Sequence, residues 1–296
     1  MINRCPVCAN TNITPFQWES PELPLRTCRE CGLVFLSSPP PASHLQHIYE
    51  NGYYAHWQGE WQTVWDNKLR SSRRILDKVA PYVLAPSGTP SLLDVGCAHG
   101  FFLEAARERG FKTSGVEIAP DAVAYAKDRG LEVLQGTILD APFADASLDV
   151  ITAIDVIEHL PDPMAFADSV RRLLVPGGLM VLVTPDISNW TAWLMRGRWP
   201  HYKSEHVLYY SPRSIRKLCE LGGFKILSVS TSTRYLTLNY VRGHFEKFSK
   251  GILRKFVLLS SRLLPRLLRE LPLRFPTEML VIARRELDPT ARGSEG

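Results

Sequence analysis

The sequence predicts an α/β protein built on a mostly parallel β-sheet with helices on both faces. Three observations lead to this prediction. From Ser91 onward, short apolar runs alternate with amphipathic stretches that end at glycine, and this alternation indicates parallel strands joined by helices. Two pairs of cysteines precede the alternating region, and a basic segment interrupts it at residues 236–276. We therefore expect one large domain with a small unit in front of it and an insertion near its end.

The composition is that of a globular protein with one strongly charged segment. The chain has 296 residues, of which 45% are hydrophobic and 22% are charged, so it can bury a sizeable core. The net charge is +5, but residues 236–276 hold nine Lys or Arg and two Glu, so this segment carries +7 and the rest carries −2. The basic character is therefore local, which disfavours a protein that binds nucleic acid with its whole surface.

The opening residues, MINRCPVC, contain no apolar stretch of the kind that a secretory signal needs. No apolar run approaches the roughly 18 residues that a membrane-spanning helix requires. We therefore expect a cytoplasmic protein whose cysteines are reduced.

Residues 1–37 are predicted to form a zinc-binding module. They contain Cys5, Cys8, Cys28 and Cys31, two C-x2-C pairs with nineteen residues between them. This spacing fits a tetrahedral Zn²⁺ site made of four thiolates. Because four protein ligands leave no open position for a substrate, we expect the zinc to be structural, in a unit that folds only around its metal.

Residues 38–88 are predicted to form an aromatic-rich linker followed by a helix. Trp57, Trp61, Trp65 and Leu69 repeat every four residues, which is typical of a helix that buries an aromatic stripe in the core. The helix also precedes a glycine-rich loop by a short distance, so the sequence leaves open a second role, in which the helix caps a ligand pocket at that loop.

Residues 89–235 are predicted to form the core of the sheet, and residues 277–286 its final strand. The predicted strands are Ser91–Val95, Lys112–Ile118, Leu131–Leu134, Leu148–Ile154, Leu179–Thr184, Lys225–Ser232 and Glu278–Arg284. The predicted helices are Phe101–Arg109, Asp121–Arg129, Pro163–Leu174 and Pro212–Leu221. Residues 236–276 are expected to form a basic amphipathic helical insertion, and residues 287–296 a disordered tail.

The glycine-rich loop follows the first of these strands, in the sequence LLDVGCAHG from Leu92 to Gly100. Ligands of open α/β sheets bind beyond the carboxyl ends of the strands. Glu117 closes the second strand, 21 residues after Gly96, where a carboxylate can accept both ribose hydroxyls of a nucleoside. The loop reads G-x-A-x-G instead of the G-x-G-x-x-G of a dinucleotide site, and Asp94 would repel a pyrophosphate. A nucleoside that carries an amino group and a sulfonium, such as S-adenosylmethionine, suits this loop better.

The stretch LLDVGCAHGFFL resembles the first motif of the class I S-adenosylmethionine-dependent methyltransferases, and GVEIAP resembles their second. Residues 134–163 resemble the third and fourth motifs, so that the resemblance covers residues 90–230 and the final strand. It implies a Rossmann-like, seven-stranded sheet and S-adenosyl-L-methionine as methyl donor. It also implies a set of donor-binding residues, namely Asp94, Gly96, Ala98, Gly100, Phe101, Glu117, Ile118, Thr137, Ile138 and Asp155.

In the roles that this resemblance implies, Asp94 and the loop glycines hold the methionine part of the donor, and Glu117 holds its ribose. Two positions depart from the family's pattern. Ala98 replaces the usual middle glycine, and its methyl group is tolerated if the backbone φ angle is negative, so we expect a slightly tighter loop. Thr137 stands where members often have an aspartate for the adenine amino group, and nearby Asp140 could replace that aspartate.

A hydroxyl acceptor would need a general base near the sulfonium, worth about 10²–10⁴ in rate. Asp155, Glu158 and His159 follow the fourth strand and are expected at its carboxyl end. The segment His201–Tyr210, rich in histidine and tyrosine, lies in a connection that usually forms the acceptor pocket in similar methyltransferases. We favour His206 as the base, with His159 and Asp155 as the other catalytic candidates.

Other roles for these residues stay open at this point. His159 fits equally well as a cap for its turn, and the segment around His206 fits a solvated loop. The Glu-His pair at residues 158 and 159 could instead hold a divalent cation, as in similar quinone O-methyltransferases. A zinc-dependent scaffold that has lost donor binding is a further alternative.

The order of the segments, a zinc module before the methyltransferase core, resembles bacterial methyltransferases associated with deoxysugar and surface-polysaccharide synthesis. This resemblance implies a hydroxyl of a sugar, of a lipid-linked glycan or of a small molecule as acceptor, or else a carbon of a nucleotide deoxysugar. Some ribosomal RNA methyltransferases also join a zinc module to this core. However, residues Arg4–Cys31 carry three arginines and three glutamates, and RNA binding needs a basic surface, so nucleic acid is the less favoured acceptor.

The insertion is predicted to contain an amphipathic helix over Ser249–Leu271. At about 100° per residue, most apolar side chains fall on one side and most cations on the other, as in helices that lie in the headgroup plane of a membrane. Pro265 is expected to kink this helix. We predict a peripheral contact with an anionic membrane at the inner face of the plasma membrane. The alternatives are packing of the apolar side on the protein's own core or on a second subunit.

Overall fold

The computed structural model describes residues 2–19, 23–41, 61–84, 88–203, 205–237 and 272–287. Its strands are β1 (Ile13–Pro15), β2 (Leu25–Cys28), β3 (Val34–Leu36), β4 (Ser91–Val95), β5 (Lys112–Glu117), β6 (Val133–Gln135), β7 (Leu148–Ile154), β8 (Leu174–Pro185), β9 (Leu208–Tyr209), β10 (Phe224–Thr237) and β11 (Pro272–Arg285). Its α-helices are α1 (Trp61–Val79), α2 (Phe101–Glu108), α3 (Pro120–Asp128), α4 (Pro163–Leu173), α5 (Trp190–Met195) and α6 (Pro212–Leu221). Short 3₁₀ helices lie at Ala80–Tyr82, Ile157–His159 and Arg196–Arg198.

The main sheet has seven strands in the order β10-β11-β8-β7-β4-β5-β6. Strands β4 to β8 are parallel, and β11 runs antiparallel to both of its neighbours. This arrangement confirms the predicted seven-stranded, mostly parallel α/β sheet. The five parallel strands end at one edge of the sheet, which we call the carboxyl edge, and the predicted ligand-binding segments therefore meet there.

Local sequence explains where the helices that follow β7 and β9 begin. The Asp162 side chain accepts a hydrogen bond of 2.9 Å from the Ala165 N–H, and Pro163 occupies the first turn of α4. The side chains of Ser211 and Ser214 cap the start of α6 in the same way. Such caps satisfy N–H groups that have no partner within the helix, so both helices begin within one residue of the predicted start.

The strands on one side of the sheet are longer than the sequence predicts. β8 begins at Leu174, ahead of the Pro-Gly-Gly turn that was expected to precede it, and Gly177 has a φ of 83° within it. β10 and β11 pair along their whole length, from Phe224 opposite Arg285 to Thr237 opposite Pro272. In a hairpin the partner strand supplies the hydrogen bonds that keep a chain extended, so local propensity underestimates such strands. The insertion consequently spans residues 238–271 and not 236–276.

The N-terminal unit shares a sheet with the main domain. Strands β1, β2, β3 and β9 form a second, four-stranded sheet, and β9 comes from the segment between β8 and α6. Phe35 of β3 pairs with Leu208, and Val34 pairs with Tyr209. Apolar residues of the unit, including Leu33, lie in one continuous core cluster with residues of the main sheet. The domain boundary predicted after residue 37 therefore marks no break in the core.

Several sequence predictions fall outside the described residues. These are the position of Trp57 in the linker, the amphipathic helix Ser249–Leu271 and the tail after residue 287. In the part of the chain that the structure covers, no helix has the length and apolar character needed to cross a bilayer.

Candidate active site

The first group at the carboxyl edge is the carboxyl of Asp94, near the end of β4. The residue is 3% exposed, and its Oδ1 accepts a hydrogen bond of 2.5 Å from the Thr152 hydroxyl on the neighbouring strand. The pKa of Asp94 is raised to about 7, mainly by burial and partly by the nearby charge of Glu117, against the opposite effects of the Thr152 hydroxyl and Lys68. A ligand that brings a positive charge to this carboxyl would restore its ionised form.

The glycine-rich loop turns sharply between β4 and α2. The φ angles are 66° at Gly96, 48° at Ala98 and 88° at Gly100, so three residues of the loop occupy the left-handed region. A Cβ atom at Gly96 would lie 2.6 Å from Cγ2 of Val156, which explains why this position has no side chain. The condition placed on Ala98, a negative φ, was wrong. The turn demands a left-handed residue at this point, and alanine adopts that conformation at a steric cost.

The Glu117 carboxylate at the end of β5 ties this loop in place. Its Oε2 accepts a hydrogen bond of 2.8 Å from the Ala98 N–H, and its Oε1 accepts one of 2.9 Å from the Ala119 N–H. Glu117 is buried. Each carboxylate oxygen can accept more than one hydrogen bond, so these contacts leave capacity for a ribose hydroxyl.

The residues expected near an adenine lie beyond β5 and β6. Ile138 is buried and Ile118 is half-buried, while Thr137 and Asp140 are exposed. The Thr137 hydroxyl donates a hydrogen bond of 2.8 Å to Oδ2 of Asp140. The two polar residues that the sequence offered as alternatives are thus partners in one turn.

Helix α1 packs against the glycine-rich loop and α2, and its aromatic residues do both of the things that the sequence left open. Trp65 is buried and lies 4.7 Å from the Phe101 ring, measured between ring centres. Trp61 lies 4.7 Å from the ring of His99, which belongs to the loop itself, and donates a hydrogen bond to the Tyr125 hydroxyl. Burial lowers the pKa of His99 to about 4, so this ring is neutral and packs as an aromatic group. Trp65 is therefore part of the core, and Trp61 on the same helix covers the loop.

One cation of α1 reaches the carboxyl edge. Lys68 Nζ lies 3.7 Å from Oδ2 of Asp155, the residue that follows β7, and its charge also acts on Asp94. Asp155 has a φ of 58°, an uncommon conformation for a non-glycine residue. Lys68 was not among the residues predicted from the sequence. The helical pattern of α1 was the signal available. Lys68 comes three residues after Trp65, and residues three apart lie on the same face of a helix.

Glu158 and His159 follow Asp155 in a short 3₁₀ helix. Glu158 is 2% exposed, and its Oε2 accepts a hydrogen bond of 3.0 Å from the Thr184 hydroxyl. Burial raises the pKa of Glu158 to about 8, and the negative charge of Asp155 contributes in the same direction. Nδ1 of His159 lies 2.9 Å from the carbonyl oxygen of Glu205. Because a carbonyl oxygen only accepts, Nδ1 must carry the proton and Nε2 is the unprotonated nitrogen.

His159 and His206 were separate candidates in the sequence, and the structure brings them together. Their ring centres lie 4.6 Å apart with the planes nearly perpendicular. Burial lowers the pKa of His159, which keeps that ring neutral, and His206 is itself 5% exposed. Ligand atoms of Glu158, His159 and His206 all lie within 4.8 Å of one another.

In the segment His201–Tyr210, the part from His206 to Tyr210 is buried and is not the solvated loop that the sequence left open. Tyr209 and Tyr210 are 2% and 0% exposed, and the Tyr209 hydroxyl donates to the Lys203 carbonyl. Burial raises the pKa of both phenols, so neither is suited to act as a base. The Val207 N–H donates to the Glu158 carbonyl, and the Val207 carbonyl accepts from the Leu36 N–H. The N-terminal sheet thus holds the histidine segment against the 3₁₀ helix.

The four N-terminal cysteines form one cluster. The sulfur atoms of Cys5 and Cys31 lie 3.5 Å apart, as do those of Cys8 and Cys28, and all four lie within 4.8 Å of one another. Four sulfurs around one Zn²⁺ at about 2.3 Å would be separated by about 3.8 Å, whereas a disulfide needs about 2.05 Å. The donor set and its spacing fit a tetrahedral zinc ion.

Comparisons with known proteins agree with this geometry. A sequence profile described as a methyltransferase domain matches residues 64–229. The ubiquinone biosynthesis O-methyltransferase of Idiomarina loihiensis is 33% identical over 129 residues, which cover 41% of this chain and 51% of that protein. The enzyme of the same name from Sodalis glossinidius is 29% identical over 187 residues, covering 58% of this chain and 72% of that protein. The chain therefore spans only about half the length of the first of these relatives.

Solved structures show the same fold at low sequence identity. An S-adenosylmethionine-dependent methyltransferase from Thermotoga maritima has a TM-score of 0.53 and 18% identity, covering 82% of this chain and 100% of that one. An S-adenosylmethionine-dependent methyltransferase from Methanosarcina mazei has a TM-score of 0.50 and 16% identity, covering 71% of this chain and 98% of that one. Because the methyltransferase-domain profile matches more than half of the sequence, the chain belongs to that methyltransferase family, with the fold of the S-adenosylmethionine-dependent members.

Proposed function

We propose that this protein transfers the methyl group of S-adenosylmethionine to a hydroxyl oxygen of a small-molecule acceptor. The observation that carries the proposal is the pair of imidazoles at the carboxyl edge, the half-buried His159 and the buried His206, with ring centres 4.6 Å apart. A neutral imidazole can take the proton of a hydroxyl as its oxygen attacks the methyl carbon. The relatives named for ubiquinone biosynthesis are O-methyltransferases, which supports oxygen as the acceptor atom.

The donor would lie across the ends of β4 and β5. The Asp94 carboxylate faces the amino group, the Glu117 carboxylate accepts hydrogen bonds from the ribose hydroxyls, and the backbone of the glycine-rich loop approaches the methionine chain. Lys68, which lies close enough to act on Asp94, is suited to neutralise the α-carboxylate of the donor. The apolar side chains of Ile118 and Ile138 are available to the adenine, and Phe101 follows the glycine-rich loop directly.

In the reaction, the acceptor oxygen forms a bond to the methyl carbon as the carbon–sulfur bond breaks. The electron pair of that bond returns to sulfur, and the positively charged sulfonium becomes a neutral thioether. The hydroxyl proton passes to Nε2 of His159 or to His206. Alignment of donor and acceptor can supply about 7–11 kcal/mol of the barrier reduction, and the base contributes a further factor of about 10²–10⁴. Asp155, between Lys68 and the histidines, would help to orient the acceptor.

The four cysteines would hold a structural Zn²⁺. The ion would have no open coordination position, so its contribution is to the fold of the N-terminal sheet. That sheet carries β3, which pairs with β9 immediately after His206. The zinc site would therefore support the acceptor side of the active site without taking part in the chemistry.

A second arrangement at the same place is a divalent cation bound by Glu158, His159 and His206, because their ligand atoms lie within 4.8 Å of one another. A bound cation would favour the ionised form of Glu158, whose pKa is otherwise raised to about 8. It would also polarise the acceptor hydroxyl. Turnover that is lost in EDTA and restored by Mg²⁺ or Zn²⁺, with the four-cysteine zinc still present by elemental analysis, would favour the cation. Turnover unchanged in EDTA favours the histidine base.

Within this proposal the preferred acceptors are a sugar hydroxyl or a lipid-linked glycan, in a cytoplasmic enzyme that contacts the inner face of the plasma membrane through Ser249–Leu271. The alternatives are ribosomal RNA and a carbon atom of a nucleotide deoxysugar. Labelled S-adenosylmethionine should be incubated with nucleotide-sugar pools, lipid-linked glycan extracts, quinone precursors and ribosomal RNA. Label in a small molecule supports the proposal, and label in RNA alone contradicts it.

The base assignment is tested by substitution of each histidine. His159→Ala and His206→Ala should each lower turnover at least about tenfold, with donor affinity unchanged. Tyr209→Phe removes only a hydroxyl from the same segment and serves as the matched control. If neither histidine variant lowers turnover, the transfer proceeds without an imidazole base.

A further inference from the structure

The short helix α5 presents three large apolar side chains to solvent. Trp190, Trp193 and Leu194 are 62%, 67% and 62% exposed, and we call this set the tryptophan patch. Their spacing of three and four residues places them on one face of the helix. A single exposed apolar residue needs no explanation, whereas a contiguous apolar patch on a protein surface commonly marks a site of interaction.

The patch is held on a rigid base. The opposite face of the helix buries Ala192, and the fully enclosed Trp199 donates a hydrogen bond of 3.2 Å from Nε1 to the Thr191 hydroxyl. The Asn189 side chain accepts a hydrogen bond of 3.0 Å from the Thr191 N–H and caps the helix. The Ile187 N–H donates to the Tyr210 carbonyl. These contacts fix the helix, so the exposure of the tryptophans does not arise from fraying of a loop.

The patch lies at the same edge of the sheet as the site. Helix α5 follows the carboxyl end of β8, and the Asn189 amide donates a hydrogen bond of 2.8 Å to the Pro276 carbonyl on β11. β11 enters the sheet from this edge and β10 leaves at it, since Thr237 pairs with Pro272 and Glu278 pairs with Pro185. The two strand ends that flank residues 238–271 therefore lie at the carboxyl edge.

Charge distinguishes between the possible partners of the patch. Arg196 and Arg198, directly after α5, are exposed. A second copy packed on the same patch by two-fold symmetry would bring like charges together. An anionic lipid surface instead complements these cations, and tryptophan is the side chain enriched where an apolar phase meets water.

We infer that the tryptophan patch, with Arg196 and Arg198, inserts into the headgroup region of an anionic membrane. This contact turns the carboxyl edge, with its acceptor side, toward the lipid. The inference extends the proposed membrane contact to residues that the structure describes. It rests on the proposed function in one respect: the orientation of the acceptor side toward the bilayer is useful only if the protein methylates an acceptor there. Binding itself requires neither methyl transfer nor the amphipathic helix.

The test is co-sedimentation of the full-length protein with phosphatidylcholine vesicles, with and without a quarter of phosphatidylglycerol. We expect the wild type to bind only the anionic vesicles, and Trp190→Ser/Trp193→Ser to weaken binding about tenfold or more. Arg196→Glu/Arg198→Glu should weaken binding mainly at low salt, because salt screens exposed charges. Leu221→Ser, at a 47% exposed leucine on α6, is the matched control and should bind as the wild type does.

Donor affinity, measured by calorimetry without vesicles, separates this inference from misfolding and from the proposed function. The tryptophan variant should bind S-adenosylmethionine normally. Wild-type protein that stays in the supernatant with anionic vesicles overturns the inference, as does a tryptophan variant that binds vesicles fully. Two further outcomes also overturn it. One is a wild-type dimer that the tryptophan changes make monomeric, and the other is a variant with a raised acceptor KM and unaltered vesicle binding.

Discussion

The proposed donor side and the proposed acceptor side of the candidate site are built in different ways. The donor side comes from one run of chain between Leu92 and Ile138, and its main elements are a backbone turn and two strand-end carboxylates. The acceptor side is assembled from the 3₁₀ helix after β7, the segment between β8 and α6, and the N-terminal sheet. Donor recognition is therefore a local property of the sequence, whereas the acceptor side depends on contacts between distant segments.

The link between the N-terminal unit and the histidines gives the sharpest form of this comparison. Strand β3 pairs with β9, and Leu36 and Glu158 hydrogen-bond to opposite sides of Val207. A disturbance of the cysteine cluster should therefore reach the acceptor side along β3, which begins three residues after Cys31.

Loss of the zinc site should produce the largest effect. Cys28→Ser should remove the metal, because one of its four thiolate ligands is lost. The variant should then unfold, because zinc in such sites contributes about 10–16 kcal/mol, more than the total stability of many domains. We expect one zinc per chain in the wild type by elemental analysis, and an aggregating, inactive variant. The matched control is Cys219→Ser, at a buried thiol of α6 outside the cluster. A zinc-free protein that remains folded and active would contradict the role assigned to the module.

The next effect in size concerns Asp94. Asp94→Ala should reduce S-adenosylmethionine affinity below detection in calorimetry, because the donor's amino group would lose its only buried carboxylate at the end of β4. Glu117→Ala should weaken affinity less, since the ribose hydroxyls can be solvated. Both variants should retain zinc and an intact acceptor side. If NAD binds to the wild type and S-adenosylmethionine does not, the interpretation of this loop is wrong.

The raised pKa of Asp94 makes donor binding depend on pH. Burial raises this pKa to about 7, so the donor-free protein keeps a proton that the unfolded chain has lost, and the free energy of unfolding falls as pH rises from about 4 to about 7. Donor binding favours the ionised form and should strengthen over the same range, about tenfold per pH unit well below pH 7. Calorimetry from pH 5.5 to pH 8.5 measures this slope. Asp94→Asn keeps an amide oxygen that accepts a hydrogen bond from the donor's amino group, so it should bind the donor weakly and without this slope, whereas Asp128→Asn, an exposed change on α3, should leave the slope intact.

A smaller effect is expected from Lys68, which belongs to the donor side although it lies outside the local run of chain. Lys68→Met keeps the length of the side chain and removes its charge. Because the residue is about one-third exposed, we expect a loss of donor affinity of only about three- to tenfold. Methylthioadenosine, which lacks the amino-acid part of the donor, should bind both proteins equally. Equal weakening for both ligands would show that Lys68 acts through the fold of α1 and not through the carboxylate.

The extent to which the sequence predicts this site follows the same division. The order of strands, the carboxylates Asp94 and Glu117, and the cysteine cluster are encoded in short motifs with fixed spacing, and residues 64–229 match the family profile. The contact between His159 and His206 is not encoded in this way. His159 is held by the Glu205 carbonyl, which is 46 residues away in the sequence, and no local pattern specifies such a pairing. Lys68 was missed for the same reason. It is brought to Asp155 by the packing of α1 on the sheet.

The smallest predicted effect is at Ala98, where local sequence analysis assumed the wrong backbone conformation. With φ at 48°, the alanine Cβ crowds its own carbonyl, at a cost of about 1–2 kcal/mol relative to glycine. Replacement by glycine would remove this cost, but the greater entropy of glycine in the unfolded chain offsets part of the stabilisation. Ala98→Gly should therefore raise the free energy of unfolding by up to about 1 kcal/mol.

The glycine variant also tests how independent the two sides of the site are. The Ala98 N–H donates to Glu117, so relief of strain should leave that hydrogen bond in place and keep donor affinity within about twofold. Ala98→Val, with a branched side chain in the left-handed region, should lower stability instead. Thermal unfolding of the three proteins, with and without S-adenosylmethionine, measures both quantities. If Ala98→Gly destabilises the protein, or alters acceptor KM while donor affinity is unchanged, the loop is coupled to the acceptor side and the division between the two halves does not hold.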